Sequence, residues 1–416
     1  MEINSSILKL RVQNISPGGA FSSEVCEGPG DLIGMKAFVR YVAPGELVHA
    51  KVIRKKKTYL DALLIDLVEA SPERISPRCH LFGHCGGCDL QHLPISSQRH
   101  YKKKMIEDFL AIQGGSSEKV DVGLIDATLP DYSYRRRVTF HIDKKSTIGY
   151  YQQNSHDIIQ TLQCPIATKP LNNAISLLHE LPFTKPGSIH SISIEEAAEV
   201  VCLVFRMNEP VLPFPDHSIA SLEEMNYGLQ IEYNNQIVYR SAKLPPFVAL
   251  AHFSQVNEMA NEAMVSYVCS LVESREVCDL YAGSGNFALP LARKGCKVEA
   301  VELDQLLVGV GKRLAKQEGL DKLVRFHQQK CEDFAPNLPS GYTVILDPPR
   351  EGAYHVIKYC RPERSPRIIY VSCSLPELIR DLEILRRSGY KLLTTTFIDM
   401  FPQTHHVETV NLLEAS

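Results

Sequence analysis

The sequence predicts an α/β chain in three parts: a small N-terminal β-barrel, a central α+β unit and a C-terminal doubly wound parallel sheet. Three observations predict it. Beyond residue 250 the apolar runs 277–280, 297–301, 344–346 and 368–371 are short, largely apolar and separated by helix-length segments. That is the pattern of parallel strands buried on both faces. Residues 1–70 instead carry strand-like runs at 7–12, 35–41 and 47–53, separated by Pro17-Gly18-Gly19, Gly28-Pro29-Gly30 and Pro44-Gly45. Turn signals at that spacing suit a small barrel of the oligonucleotide-binding type. Between the two lies a mixture of strand-like runs (138–142, 189–194, 200–205) and one apolar helix around 174–181.

The joints follow from composition. Ser71-Pro72 and Ser76-Pro77 form a linker into a cysteine-rich loop, and Met105, Ile106, Phe109 and Leu110 recur with helical spacing over 98–112, closed by Gly114-Gly115. Pro245-Pro246 marks the next change of style. The expected units are therefore 1–72, 73–250 and 251–416. A chain of 416 residues, 44% hydrophobic and 22% charged, folds around several cores and is too apolar to be disordered. No stretch approaches the roughly 18 apolar residues of a membrane helix, and Met1-Glu2-Ile3-Asn4 lacks a signal peptide's basic start. We expect a cytoplasmic monomer without a membrane partner. In a reducing compartment its 12 cysteines are buried, reactive or metal-bound rather than disulfide-paired.

The net charge of -3 is unevenly spread. Residues 1–150 hold 21 Lys and Arg against 17 Asp and Glu, leaving 24 against 31 for the remainder. Lys51, Arg54, Lys55, Lys56 and Lys57 form one basic run, Arg99, Lys102, Lys103 and Lys104 a second, and Arg135, Arg136 and Arg137 a third beside Tyr132 and Tyr134. Such runs can neutralise phosphates while tyrosines stack on bases, which points to a nucleic-acid partner.

Cys79, Cys85 and Cys88 sit in a loop with Gly83, Gly86 and Gly87. Thiolates at this spacing converge on a metal centre, and Cys164, followed by Pro165, is the best candidate for a fourth ligand. His80, His84 and His92 could equally serve zinc, so these residues leave an iron–sulfur cluster and zinc open.

A strand ending at Leu280 feeds Tyr281-Ala282-Gly283-Ser284-Gly285-Asn286, with Glu302 at the end of the next strand. Glycines there admit a nucleotide to the backbone, and the acid can hold ribose hydroxyls. The turn alone fits a nicotinamide cofactor as well as S-adenosylmethionine. Asp347-Pro348-Pro349-Arg350 and Cys373 then close two later core strands, and His405, His406 and Glu408 stand near the C-terminus. A thiol nucleophile, a carboxylate base and a methyl donor suit methylation of pyrimidine C5, because thiolate addition at C6 makes C5 nucleophilic and a base must then remove its proton. A nicotinamide-dependent oxidoreductase leaves Asp347 and Cys373 unexplained, and a non-catalytic RNA-binding iron–sulfur protein uses only the barrel and the basic runs.

On these motifs the chain resembles the RNA uracil-C5 methyltransferases, in the branch with an N-terminal TRAM domain and a [4Fe-4S] cluster. Pro44-Gly45-Glu46 with the basic run, Cys85-Gly86-Gly87-Cys88 with Gln91-His92, Phe253-Ser254-Gln255-Val256-Asn257, the 279–287 loop, the Asp347 motif and the stretch from Phe401-Pro402 to Glu408 carry the resemblance. It implies a Rossmann-like S-adenosylmethionine-dependent methyltransferase domain and a [4Fe-4S] cluster on Cys79, Cys85, Cys88 and Cys164. It further implies that Gln255, Tyr281, Gly283, Gly285, Asn286, Glu302 and Asp347 line the donor and target-base site, that Cys373 is the nucleophile, and that Glu408 is the base. Large-subunit (23S) ribosomal RNA is the usual substrate of this branch. Two positions depart from the family pattern. Ser372-Cys373-Ser374-Leu375-Pro376 carries its proline one place late, and Lys330 falls near the expected adenine contact.

Overall fold

The computed structural model describes residues 6–113, 121–126, 128–197, 200–244 and 255–416. The Gly114-Gly115 stop, the Pro245-Pro246 junction, Met1-Glu2-Ile3-Asn4, Phe253 and Ser254 lie outside them. Strands β1 (Ile7–Ile15), β2 (Phe21–Glu27), β3 (Lys36–Val39), β4 (Leu47–Lys55) and β5 (Tyr59–Glu69) close into a barrel in the order β1-β2-β3-β5-β4. Leu8, Leu10 and Val12 alternate inward with Val48, Ala50 and Val52, as strands with one buried face require. Buried Glu46 accepts from both Nε and Nη2 of Arg74, at 2.6 and 2.7 Å, and from the amide of Ala43. This fastens the linker to the barrel wall.

The central sheet runs β13-β12-β11-β10-β7-β8-β9. Its strands are β7 (Arg137–Ile142), β8 (Ile148–Tyr151), β9 (Ile158–Gln160), β10 (Ile189–Ala197), β11 (Val200–Met207), β12 (Tyr227–Tyr233) and β13 (Gln236–Arg240). Helices α2 (Lys169–Leu178) and α3 (Asp216–Glu224) pack on it. Leu171, Ile175 and Leu178 of α2 meet Phe140, Ile192, Leu203 and Phe205 in one core.

The C-terminal sheet has the order β16-β15-β14-β17-β18-β20-β19-β6. Here β14 (Glu276–Leu280), β15 (Lys297–Glu302), β16 (Val324–Gln328), β17 (Thr343–Leu346) and β18 (Arg367–Ser372) are parallel. In contrast β20 (Glu408–Ala415) runs antiparallel to both β18 and β19 (Tyr390–Ile398). Helices α4 (Glu258–Leu271), α5 (Ala288–Arg293), α6 (Gln305–Gln317), α7 (Cys331–Phe334), α8 (Tyr354–Ile357) and α9 (Leu375–Arg387) complete the unit. Alternate strand residues feed two cores: Val277, Ile345 and Ile369 pack with Met264 and Val268 of α4, while Leu280, Leu346 and Tyr370 pack with Leu378 of α9. The second core is continuous with the barrel interior through Met105, Ile106 and Leu110 of α1 (Ile95–Gln113).

Two segments placed in the 73–250 unit by sequence are therefore built into other parts. Helix α1 packs on β1, α9 and β6 (Val122–Ile125), and β6 pairs in parallel with β19 to become the sheet's last strand. Two members of the second basic run are likewise internal, while Lys103 and Lys104 stay partly exposed. Lys102 is 0% exposed, with Nζ 2.7 Å from Asp399 Oδ1 and 3.1 Å from the Phe401 carbonyl, and Arg99 donates to Asp399 and to the Leu129 carbonyl. Among the described residues no helix is long and apolar enough to cross a membrane.

Asp399→Ala leaves the Lys102 ammonium buried with the Phe401 carbonyl as its remaining partner and is expected to cost about 3–5 kcal/mol, read as a lower urea midpoint. The double replacement Lys102→Met with Asp399→Leu should recover most of that loss. A single variant with the wild-type midpoint would show that the pair is not needed to hold α1 in place.

Candidate active site

Strand β14 has β15 on one side and β17 on the other, so the order of strand addition reverses there and a crevice opens at the carboxyl ends of these parallel strands. The turn after β14 lines it. Gly283 and Gly285 have φ of 56° and 99°, left-handed values that favour glycine. A Cβ on Gly285 would lie 3.0 Å from both Leu289 and Phe326, whereas one on Gly283 would meet open space. Tyr281 is also left-handed, at 65°, and its amide donates to Cys331 Sγ at 3.2 Å. Glu302 accepts from the amides of Gly283, Leu303 and Asp304 at 2.7–3.0 Å, which ties the glycine turn to the start of α6. Asn286 exchanges two side-chain hydrogen bonds with Asn261 of α4, and half-buried Gln255 lies just before Asn257, the cap of that helix.

Asp279 lies in the same crevice, and sequence reasoning gave it no role. It is fully buried, and neither carboxylate oxygen has a hydrogen-bond partner among the described residues. Burial, and then the nearby Asp347 charge, push its pKa well above the ordinary carboxylate range. The Asp347 side chain keeps some solvent contact, yet the protein packed around it also raises its carboxyl.

The antiparallel return of β20 brings Cys373 and Glu408 together. Ser372 pairs with Thr409, so Cys373 and Glu408 flank that pair at the same end of adjacent strands. Cys373 is half-buried. Burial, then the charges of Glu408 and Asp347, push its thiol up to about 11, with Arg350 opposing. Glu408 is 4% exposed, and burial, then Asp347, hold its carboxyl well above the usual range, again against Arg350. The late proline causes no distortion visible at Cys373: Ser374 caps α9, its hydroxyl bonds Glu377, and Pro376 falls in the first turn, where a missing amide costs nothing.

Cys79, Cys85, Cys88 and Cys164 line one cavity of about 610 Å³. Burial raises the first three thiols, Cys85 to about 11, and the charge of Cys164 adds to each. Gln91 Oε1 accepts from the Cys79 amide, the Gly87 amide donates to Cys85 Sγ at 3.4 Å, and Asn172 bonds both the amide and the carbonyl of Cys164. Among the described residues no group of three or more His, Cys, Asp or Glu is arranged to hold a metal ion. The zinc alternative loses its histidines. His92 is buried with Nε2 2.8 Å from the Val42 carbonyl, and His80 and His84 are exposed and do not line the cavity.

The third basic run is also largely engaged. Arg136 pairs with Glu196 and Glu258, Tyr132 lies under the Arg78 guanidinium at 4.2 Å, and buried Tyr134 donates to the Pro402 carbonyl. In the first run Arg54 and Lys55 pair with Asp61 and Asp31, while Lys51, Lys56 and Lys57 are exposed.

By fold, the C-terminal sheet and its glycine turn form a Rossmann-like domain of the kind that holds a nucleotide cofactor. The fold matches the crystal structure of Pyrococcus abyssi tRNA (uracil-54, C5)-methyltransferase in complex with S-adenosyl-L-homocysteine, with a TM-score of 0.76 and 22% identity over 98% of this chain and 100% of that one. The family model for tRNA (Uracil-5-)-methyltransferase matches residues 229–416. Relatives named 23S rRNA (uracil(1939)-C(5))-methyltransferase RlmD include one from Shewanella amazonensis, 30% identical over 99% of this chain and 96% of the relative. Another, from Shewanella woodyi, is 32% identical over 92% of each. The chain belongs to the RNA uracil-C5 methyltransferase family.

The raised carboxyls make a signed prediction. Folded Asp279 and Glu408 keep protons that the unfolded chain releases near pH 4, so stability falls as pH rises above that value. The ligand-free protein should melt at lower temperature at pH 8 than at pH 5.5, and Asp279→Asn should narrow that gap. A gap unchanged by Asp279→Asn would remove Asp279 from this account.

Proposed function

We propose that the protein transfers a methyl group from S-adenosylmethionine to C5 of a uridine in RNA, with large-subunit ribosomal RNA as substrate, as its relatives' names suggest. The observation that carries the reading is the placement of Cys373 and Glu408 on adjacent antiparallel strands at the end of the donor crevice. The crevice suits this donor. Burial penalises the charged forms of Asp279 and Asp347, so a bound cation stabilises them, whereas the pyrophosphate of a nicotinamide cofactor would meet like charge. Open space over Gly283 admits a ligand to the backbone, and Glu302 stands where ribose hydroxyls bind in this topology. Gln255, Tyr281, Gly285 and Asn286 complete the lining.

When bound, the donor supplies an electrophilic methyl on a sulfonium. Cys373 adds through sulfur to uracil C6, and the C5=C6 electron pair moves toward the C4 carbonyl, leaving C5 able to take the methyl. Glu408 then removes the C5 proton, and the electrons of that bond restore C5=C6 as the C6–S bond breaks. Cys373 gives its proton to solvent before its thiolate adds, and Glu408 enters as the carboxylate that takes the C5 proton, although burial disfavours both charged forms in the empty site. Arg350, beside both, favours their charged forms.

We assign a [4Fe-4S] cluster to Cys79, Cys85, Cys88 and Cys164. Four thiols around one broad cavity, with a backbone amide donating to Cys85, make a tetrathiolate donor set suited to several metal atoms. Its role is to staple a loop with little core of its own. Lys36, Lys51, Lys56 and Lys57 are exposed barrel cations available to RNA phosphates.

RNA carrying 5-fluorouridine should trap the enzyme covalently, because the base cannot remove fluorine. Cys373→Ala should abolish the adduct, and an adduct surviving that change would end the assignment. With ordinary RNA, Glu408→Gln should accumulate the adduct and lower turnover at least roughly a hundredfold, as loss of a general base does. Separately, Cys85→Ser or Cys164→Ser should lower the iron content of anaerobically purified protein. Iron equal to wild type in either variant would remove that ligand.

A further inference from the structure

Beyond the reacting pair, one ionic contact joins the barrel, the thiol loop and the loop that carries Glu408. The Asp89 carboxylate, 6% exposed, accepts from Arg40 Nη1 at 2.6 Å through one oxygen and from His405 Nδ1 at 2.5 Å through the other. The His405 amide also points at that second oxygen, at 3.4 Å. Arg40 is itself fixed, donating through Nη2 to the Gly18 carbonyl at 2.5 Å. The His405 ring fills the space above Gly19, where a Cβ would come within 2.5 Å of Nδ1. Asp89 directly follows Cys88, and Arg40 belongs to the barrel. Three remote parts of the chain therefore meet at one carboxylate.

The rest of the base loop is held by other contacts. Asp399 is fixed by Lys102, the Met400 carbonyl by Asn257, the Pro402 carbonyl by Tyr134, and Gln403 by Gln98 and the amides of Asp89 and Leu90. From His405 onward the side-chain anchors thin out. Thr404 bonds only back to Phe401, and the His406 amide bonds to Thr404. His405 lies three residues before Glu408, and its ring centroid is 4.2 Å from that of His406. A change at Asp89 therefore acts on the last few residues before the base while the anchors at 399–403 stay in place.

We propose that the Arg40–Asp89–His405 clasp positions Glu408 for removal of the C5 proton, so that the barrel and the thiol loop set the rate of product release. The proposal rests on Glu408 being the base. Its three members are positioning residues. They act by fixing where the carboxylate of Glu408 stands when the methylated base is bound to Cys373. Displacing a reacting group by about an ångström can cost roughly a hundredfold in rate, and a charge-assisted hydrogen bond is strong enough to hold that distance.

The experiment compares wild type, Asp89→Asn and His405→Phe in the purified full-length protein. His405→Phe keeps the ring packing on Gly19 and leaves Asp89, next to Cys88, unchanged, but His405 also lines the thiol cavity, so iron content is measured alongside. With ordinary RNA both variants should lose roughly tenfold to a hundredfold in kcat, with KM for RNA and for the donor falling in the same proportion and kcat/KM near wild type, because the slowed step follows methyl transfer. Both should also accumulate covalent protein–RNA adduct during turnover, because addition and methyl transfer precede the slowed step. With 5-fluorouridine RNA, where proton removal cannot occur, they should trap at the wild-type rate. Iron content should equal that of wild type in His405→Phe. Wild-type kcat in His405→Phe, or a lower kcat with slower trapping and no adduct, would overturn the clasp. If wild type itself fails to trap on 5-fluorouridine RNA, it is the underlying reading that fails.

Discussion

The chain leaves the sheet at the end of β19 and re-enters it as β20, and the chemistry depends on how residues 399–407 between them are held. They are held from inside. Lys102, with no exposed surface, reaches Asp399 and the Phe401 carbonyl, while Gln98 and Gln403 exchange side-chain and backbone hydrogen bonds across some three hundred residues of sequence. Burying such a pair yields little net stability, because desolvation offsets most of the attraction, but a broken pair is expensive. The consequence is a single permitted register between α1 and the base loop. One buried network thus aligns Glu408 with Cys373, welds α1 to the C-terminal sheet and gives the thiol loop a fixed surface to rest on.

Against that scaffold the crevice is left electrostatically incomplete. Asp279, Asp347 and Glu408 all have raised carboxyls, and the Cys373 thiol is raised as well. Each is a group whose charged form is penalised by burial and by its neighbours. A cationic ligand relieves the penalty on Asp279 and Asp347, and Arg350 stands on the opposite side to favour the charged forms of the reacting pair. Stability given up in the empty site is the ordinary cost of a site built for a charged occupant. In the same sense Tyr281, held left-handed and bonded to Cys331, is local strain stored at the cofactor turn.

What was legible in the sequence, and what was not, divides along physical lines. The parallel strands were legible because burial on both faces writes an uninterrupted apolar run, as in Val344-Ile345-Leu346. Strand β2 was not, since Phe21-Ser22-Ser23-Glu24-Val25 alternates with a polar outer face, nor was β5, whose Leu63 and Ile65 are 58% and 48% exposed. Strand β6 has only four residues and is a strand because β19 offers it an edge. The glycine turn and the strand-end placement of Cys373 and Glu408 could be read because a crevice in this topology opens at strand ends. The basic runs could not. A lysine that neutralises phosphate and one that neutralises Asp399 look alike until the fold brings a partner from the far end of the chain.

That distinction bears on how RNA meets the protein. Of the three basic runs, the second is largely spent on α1 and its neighbours and the third on Glu196, Glu258 and the Pro402 loop, which leaves Lys51, Lys56 and Lys57 exposed on the barrel. Internal cations add nothing to the salt dependence of RNA binding, because they release no counterions when RNA arrives. Exposed lysines stand elsewhere too, as at Lys144 and Lys145, but on the reading that RNA docks on the barrel, Arg40, rooted there, gives that grip a short path through one guanidinium and one carboxylate to the segment that ends at Glu408.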